Sequence, residues 1–230
     1  MTTLRRIPWM GVAALVAVAA GSRAHQPSAA SEPQTPPGPV PSQPASSLSQ
    51  AEGFLAAVRG TTPLACELIV RSVGLGWGWG SWNNVPDSER SLDEQVRWAT
   101  QRRDDPSIVP TLRAGLDDPD ACVRRASARL LGSTRHADAV EALLDALDSS
   151  NATTRQLAAV GLGYADDSDT VDRLLRVLRD DNASVRAAAV WALGRIEDRR
   201  ALEPLTRLLR DDTDASVRRA AALALGDILG

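Results

Sequence analysis

Apolar residues recur at helical spacing along the second half of the chain. One stripe consists of Val140, Leu143, Leu144 and Leu147, which stand at positions i, i+3, i+4 and i+7. This spacing predicts a helix with a single buried face. An equivalent stripe begins at Val171, in the next copy of the pattern. The chain is therefore predicted to contain one-sided helices that return at a fixed period.

A second kind of segment follows each stripe and is rich in Ala. Residues 180–194, DDNASVRAAAVWALG, are its clearest copy. The preceding Asp, Asn, Ser or Thr residues can cap a helix at its N-terminus. Each copy closes on a glycine, a residue that often ends a helix in the left-handed conformation. These almost evenly spaced glycines are Gly132, Gly163, Gly194 and Gly226.

Self-similarity at this period, about 31 residues, is typical of a solenoid, in which each unit buries its apolar face against its neighbours. Each unit is predicted to be a hairpin of two helices. In the first helix the apolar side chains of the stripe are large, and in the second they are small, which lets the helices approach closely. The predicted units are 107–138, 139–169, 170–200 and 201–230.

The region 49–106 is less regular but still helical in pattern. Ser49 with Glu52, and Ser91 with Glu94, have the spacing of a capping box. Pro63 stands where a helix begins. We expect helices near 50–59, 63–73 and 92–103, and the last of them is a candidate cap for the open end of the stack.

The pattern DDxxASVRxAAxxALG resembles the HEAT repeat, in particular the short form of the phycobilin-lyase HEAT-like family. The resemblance covers about residues 107–230 and implies an all-α, right-handed α-solenoid of about four repeats with an N-terminal helical cap. It also implies a ladder in which a turn Asp and a second-helix Arg tie adjacent units. The matching pairs, six positions apart, are Asp118 with Arg124, Asp180 with Arg186, and Asp212 with Arg218; in the second unit Ser149 stands opposite Arg155.

The N-terminal segment 1–48 has a different composition. Arg5 and Arg6 precede a short apolar run, so residues 1–24 are interpreted as a signal peptide or, alternatively, an N-terminal anchor. Residues 25–48 are rich in Pro, Ser and Ala and predict a disordered linker. We expect an exported protein, periplasmic or extracellular, with attachment to the membrane through its N-terminus as an option.

Charge and residue counts narrow the function. The chain has a net charge of −3, which argues against nucleic acid as a partner. It has only two histidines, His25 and His136, and no G-x-S-x-G motif. HEAT-like hydroxylases need His-Glu dipeptides, and this sequence has none. We therefore expect no catalytic residue, no metal and no cofactor.

The only cysteines are Cys66 and Cys122. In an oxidising compartment they could form a disulfide, but they fit equally well as two small core residues. The sequence leaves both interpretations open.

The segment 74–84, GLGWGWGSWNN, holds Trp77, Trp79 and Trp82. These side chains could form an aromatic platform for a peptide, a glycan or a membrane surface. Alternatively, they fold back and cover the open end of the solenoid, with the glycines permitting the sharp path. The second interpretation is favoured, since contiguous exposed aromatic residues are uncommon on soluble proteins.

The second helices offer another candidate binding surface. Trp191 lies well away from the predicted buried stripe, so it is either a binding anchor or a residue that fills a gap. Four arginines share or border this face and could grip acidic residues of a partner, although a solvated charged face would also explain them. They are Arg125, Arg129, Arg195 and Arg219.

These observations favour an exported, non-enzymatic HEAT-repeat scaffold that binds another protein through its second-helix face. One alternative is a factor that handles a chromophore or cofactor, as phycobilin lyases do. Another is a structural envelope protein that binds glycan or membrane through the Gly/Trp-rich segment. The apolar ending ALALGDILG also makes the last repeat a candidate surface for homo-oligomer formation.

Overall fold

The computed structural model describes residues 46–73, 105–134 and 136–230. In these ranges the chain forms ten α-helices and no strand. Short 3₁₀ turns at Pro106–Ile108, Ser168–Thr170 and Arg199–Ala201 lead into α3, α7 and α9. The helices are α1 (Ser47–Val58), α2 (Pro63–Ser72), α3 (Val109–Gly115), α4 (Ala121–Ser133), α5 (Ala137–Ala146), α6 (Ala152–Ala165), α7 (Val171–Val177), α8 (Ala183–Ile196), α9 (Leu202–Asp211) and α10 (Ala215–Leu229).

The last eight helices form four hairpins, α3/α4, α5/α6, α7/α8 and α9/α10, which confirms the predicted α-solenoid. The second helices pack in chain order, α4 on α6, α6 on α8 and α8 on α10. The first helices contribute one fully buried leucine per unit, at positions that follow the repeat period: Leu112, Leu143, Leu174 and Leu205. A strict sequence period therefore becomes a continuous row of core side chains.

Side-chain caps start the second helices, as predicted. The Asp120 carboxylate accepts from the backbone N–H groups of Cys122 and Val123, and Asn151 accepts from Thr153. Asn182 and Asp214 cap α8 and α10 in the same way. These contacts satisfy backbone donors that the first turn of a helix leaves unpaired.

The prediction that glycines end the second helices is wrong. Gly132 and Gly194 lie inside helices, at points of close backbone approach. A Cβ atom at Gly132 would lie 2.0 Å from the Gly161 carbonyl oxygen. The left-handed residues that end α6 and α8 are instead Asp166, with φ of 54°, and Glu197, with φ of 55°. Gly132 and Gly194 are therefore needed for the close packing of the second helices.

Upstream of the repeats, α1 and α2 correspond to the helices expected near 50–59 and 63–73. α1 begins at Ser47, inside the predicted linker 25–48, because Ser46 caps it. It buries Phe54 and contacts both α3 and α4. The helix expected near 92–103 lies outside the described residues. Across the described ranges, no helix has both the length and the apolar character needed to cross a bilayer.

Candidate functional site

The arginine ladder joins adjacent units through two kinds of hydrogen bond. Nη1 of Arg155 donates to the Ser149 carbonyl at 2.9 Å, and its Nε and Nη2 donate to the Asp180 carboxylate at 2.7 and 2.9 Å. Arg186 repeats this arrangement with the Asp180 carbonyl and the Asp212 carboxylate. The predicted partner six positions earlier therefore supplies a backbone carbonyl, and the carboxylate comes from the following unit.

The predicted pairs within one unit are wrong, because each of these arginines binds the backbone carbonyl of the Asp six positions earlier and not its carboxylate. The three contacts are Arg124 with Asp118, Arg186 with Asp180, and Arg218 with Asp212. Each carboxylate instead accepts from an arginine that lies earlier in the chain. Asp180 and Asp212 accept from an arginine of the preceding unit, and Asp118 accepts from one that precedes the repeats. For Asp118 this arginine is Arg59, whose Nη1 and Nη2 donate at 2.9 and 2.7 Å. Sequence reasoning missed Arg59 because it follows α1, 59 residues away, and belongs to no repeat motif.

The interrupted position of the ladder is Arg124, and the rung at Arg155 is intact. Nη1 of Arg124 donates to the carbonyls of Asp118 and Pro119 at 2.7 and 2.8 Å. The following unit has Ser149 where the others have Asp. Its hydroxyl still accepts from the Asn151 N–H, at 3.2 Å, so the turn is kept. Within the described part of the chain, no carboxylate binds Arg124.

The intact rungs shift the titration of their members. The hydrogen bonds from Arg155 hold the pKa of Asp180 below its ordinary value, although partial burial acts in the opposite direction. Arg186 lowers the pKa of Asp212 for the same reason. The carboxylates in turn raise the pKa of both guanidinium groups. Folding therefore favours the charged form of each rung.

An aromatic–arginine cluster lies on the exposed side of the second helices. It consists of Arg129, Tyr164, Trp191 and Arg195. The rings of Tyr164 and Trp191 meet edge to face, with centroids 5.1 Å apart. The guanidinium of Arg129 lies 3.6 Å from the centre of the Tyr164 ring, and that of Arg195 lies 5.7 Å from Trp191. These distances are within the range of cation–π attraction.

The structure places Trp191 between the two roles that its position predicts. Its side chain is 37% exposed, so it is neither enclosed in the core nor fully free. Sequence reasoning missed Tyr164, which precedes Arg195 by one repeat period. Placing the second helices in register would have put this aromatic residue in the column of Arg195.

The other predicted binding residues are dispersed. Arg125 pairs with Glu67 of α2, and Nε of Arg129 donates to the Val73 carbonyl at 2.7 Å. Arg219 is exposed on α10. The Trp-rich segment, with Trp77, Trp79 and Trp82, lies outside the described residues. The structure thus brings together only part of the predicted set.

Positive charge is concentrated in the second helices. α4, α6, α8 and α10 carry eight arginines and a single acidic residue, Asp227. The first helices of the same hairpins carry five arginines and six acidic residues. A chain with a net charge of −3 therefore has one basic layer.

A cleft of about 330 Å³ lies between α2, α4 and α6. Its lining combines aliphatic side chains with two arginines and the cluster tyrosine. This volume is at the lower end of the range for small-ligand sites. The lining includes Val70, Arg124, Arg125, Leu157, Val160 and Tyr164.

A disulfide between Cys66 and Cys122 fixes α2 against α4. The Cα atoms are 5.6 Å apart, within the usual range for such a bond. This result decides between the two interpretations of the cysteines. Because Val70 belongs to α2, the disulfide also holds one wall of the cleft in place.

No group of three or more His, Cys, Asp or Glu side chains within the described ranges is arranged to hold a metal ion. In the turns before the second helices, Asp120 and Asp214 cap helices, and Asp180 and Asp212 bind arginine. The described second-helix face therefore offers cations, aromatic rings and a small cleft as its means of recognition.

Comparison with known proteins gives one family and two similar solved structures. The family model for HEAT repeats matches residues 86–160 and 140–226, more than half of the chain. No curated protein matches. The structure of human deoxyhypusine hydroxylase in complex with glycerol is 20% identical over 73% of this chain and 63% of that chain, with a TM-score of 0.46. The crystal structure of an engineered protein is 19% identical over 80% of this chain and 92% of that chain, with a TM-score of 0.40. This chain thus covers less than two thirds of the hydroxylase structure's length.

Proposed function

We propose that this chain, which belongs to the HEAT-repeat family, is an exported scaffold that binds another protein through its second-helix face and catalyses no reaction. The family membership rests on the match over residues 86–226. HEAT-like arrays suit this role because stacked repeats form an extended surface in which neighbouring units contribute separate contacts.

The aromatic–arginine cluster is the observation that carries the proposal. Trp, Tyr and Arg are the residue types most enriched among those that dominate binding energy at protein interfaces. Here Trp191 is partly exposed, Tyr164 meets it edge to face, and the guanidinium of Arg195 lies over its ring. These contacts restrict the side chains before a partner arrives, which lowers the entropic cost of binding.

Two features support export. The N-terminal sequence has Arg5 and Arg6 followed by a short apolar run, the pattern of a secretory signal. Cys66 and Cys122 form a disulfide, and such bonds persist mainly in oxidising compartments. Both features favour the periplasm or the extracellular space, with membrane attachment through the N-terminus as the anchored variant of the same proposal.

The test is a crosslinking pull-down from envelope extracts of the source organism. The bait is the tagged protein, compared with a variant that carries Trp191→Ala and Arg195→Ala. We expect a specific protein to be captured by the first bait and lost with the variant, while circular dichroism shows that the variant remains helical.

A matched control carries Arg207→Ala and Arg210→Ala, two exposed positions on α9, the first helix of the fourth hairpin. It removes positive charge from the opposite layer and should capture the partner normally. Equal capture by all three baits would contradict the role of the second-helix face, and no capture by any of them would contradict the scaffold proposal.

A further inference from the structure

The interrupted rung of the ladder leaves an arginine in the cleft without the carboxylate that Arg155 and Arg186 each bind. We propose that the cleft between α2, α4 and α6 binds an Asp or Glu side chain of a protein partner, with Arg124 as its ion-pair residue. This inference rests on the proposed function, since the occupant is a segment of the partner, and it names the chemistry that the segment must carry.

The intact rungs define what Arg124 lacks. Arg155 and Arg186 each use Nη1 to bind a backbone carbonyl of their own unit, which leaves Nε and Nη2 for a bidentate contact with an Asp carboxylate. Arg124 has the same anchor, since its Nη1 donates to the carbonyls of Asp118 and Pro119. Its guanidinium is therefore held as in a rung, and Ser149 supplies no carboxylate for the remaining edge.

The cleft provides space and an apolar surround at this position. Arg124 lines it together with Thr153, which lies just after the turn that carries Ser149. The aliphatic side chains of Val70, Leu157 and Val160 line the same space. An acidic residue next to an aliphatic residue in the partner's sequence fits this combination. The aliphatic side chain would contact the apolar lining and partly exclude water, and a bidentate Arg–carboxylate contact is strongest where water is partly excluded.

Charge limits the occupant to one acidic side chain. The second arginine of the cleft, Arg125, is already paired with Glu67. Among the described lining residues, one cation thus remains without a counter-ion, which matches a single carboxylate. Inside the cleft a nucleic acid would meet this one cation, whereas its phosphate backbone needs several in succession.

The decisive variant is Ser149→Asp, which supplies the missing carboxylate from within the chain, as Asp180 and Asp212 do for the rungs that follow. It should raise the melting temperature by completing the ladder and should occupy the Arg124 edge. Ser149→Asn has a side chain of the same size without charge, so it serves as the matched control and should leave the cleft open.

The probe is a peptide with the sequence Ser-Leu-Asp-Leu-Ser, acetylated at its N-terminus and amidated at its C-terminus so that Asp carries its only carboxylate. Its counterpart carries Asn in place of Asp. Both are titrated into the isotope-labelled full-length protein, and the Nε–Hε resonance of Arg124 is followed by NMR. We expect the Asp peptide to shift this resonance and to bind at least about tenfold more tightly than the Asn peptide, as loss of a charged hydrogen-bonding partner implies.

Ser149→Asp should weaken binding of the Asp peptide by at least about tenfold, whereas Ser149→Asn should retain it. The proposal is overturned if both peptides bind equally, if Ser149→Asp binds the Asp peptide like the unchanged protein, or if no shift appears at millimolar peptide.

The pull-down separates this inference from the proposed function. If an envelope protein is captured equally by the unchanged protein and by Ser149→Asp, but is lost with the Trp191 variant, the scaffold function holds and the carboxylate site is wrong. If the Asp peptide binds as expected and no envelope protein is captured, the cleft chemistry holds and the scaffold proposal fails.

Discussion

Arg186 and Asp212 form the least exposed ion pair among the described residues. Nε and Nη2 of Arg186 donate to the two carboxylate oxygens at 2.9 and 2.8 Å, and the side chains are only 13% and 4% exposed. Asp212 also accepts from the backbone N–H of Asp214, at 2.9 Å. One carboxylate thus ties the third unit to the fourth and shapes the turn that precedes α10.

Asp212→Ala should therefore destabilise the protein markedly. The substitution leaves the guanidinium of Arg186 partly buried without its acceptor, which costs about 3 kcal/mol in the free energy of unfolding. Urea denaturation followed by circular dichroism measures this loss. Asp211→Ala removes the adjacent, exposed carboxylate and should change the free energy by less than about 0.5 kcal/mol; equal losses in the two variants would contradict the ladder's role.

The ladder also predicts a dependence of stability on pH. The pKa of Asp180 and of Asp212 is lowered in the folded state by their arginine partners. A lowered pKa stabilises the fold fully above the unfolded-state value of about 3.9, and this contribution is lost as the pH falls through the folded-state value. The melting temperature should therefore begin to fall steeply below about pH 4 and should continue to fall until the pH has passed the lowered folded-state pKa values.

The matched variant for this experiment carries Asp180→Asn and Asp212→Asn. It should be less stable at neutral pH but should lose less of its remaining stability over the same acid range, because the two groups no longer titrate. Parallel curves for the two proteins would show that other carboxylates govern the acid sensitivity.

Two glycines at equivalent positions should respond oppositely to alanine. A Cβ atom at Gly132 would lie 2.0 Å from the backbone oxygen of Gly161, so Gly132→Ala must push α4 and α6 apart. Such overpacking costs about 1–3 kcal/mol. At Gly226 no atom lies within 4 Å of the added Cβ, and alanine favours a helix by up to about 1 kcal/mol.

Thermal denaturation of the two single variants measures this contrast. A lower melting temperature for Gly132→Ala and an unchanged or higher one for Gly226→Ala is the expected result. If both variants were destabilised alike, the glycines would be serving a conformational role common to all four units.

Reduction of the Cys66–Cys122 disulfide should also lower stability. The bond joins residues 56 positions apart, and closing a loop of that length restricts the unfolded chain. The expected loss is about 2–4 kcal/mol. Chemical denaturation with and without a phosphine reductant measures it, and a variant with Cys66→Ala and Cys122→Ala should show no response to the reductant. A similar response in that variant would place the sensitivity elsewhere.

The candidate site was only partly predictable. Trp191 was expected near the second-helix face, because its distance from the buried stripe follows from helical geometry alone. Its contacts with Tyr164 and Arg195 were not, since the cluster joins different helices. The aromatic–arginine cluster depends on how adjacent second helices are placed against each other. The sequence of a single repeat does not encode that placement.

The ladder shows the same division more sharply. The sequence places an Asp six positions before each ladder arginine in three units, and this regularity suggested a pair within the unit. In the structure the two parts of Asp180 have different partners. Its backbone carbonyl accepts from Arg186, whereas its carboxylate accepts from Arg155. A constant spacing identifies which residues take part, but it cannot distinguish a backbone oxygen from a carboxylate of the neighbouring unit.

By itself, the sequence determined that the chain is a helical solenoid with a fixed period, capped second helices and a row of leucines in the core. These features follow from local periodicity, because residues three and four positions apart share one face of a helix. The tertiary structure alone decided that Cys66 pairs with Cys122, that Arg59 extends the ladder, and that Arg124 lies in a cleft with no carboxylate partner among the described residues. Each of these depends on distances between separate helices, which are set by packing across units.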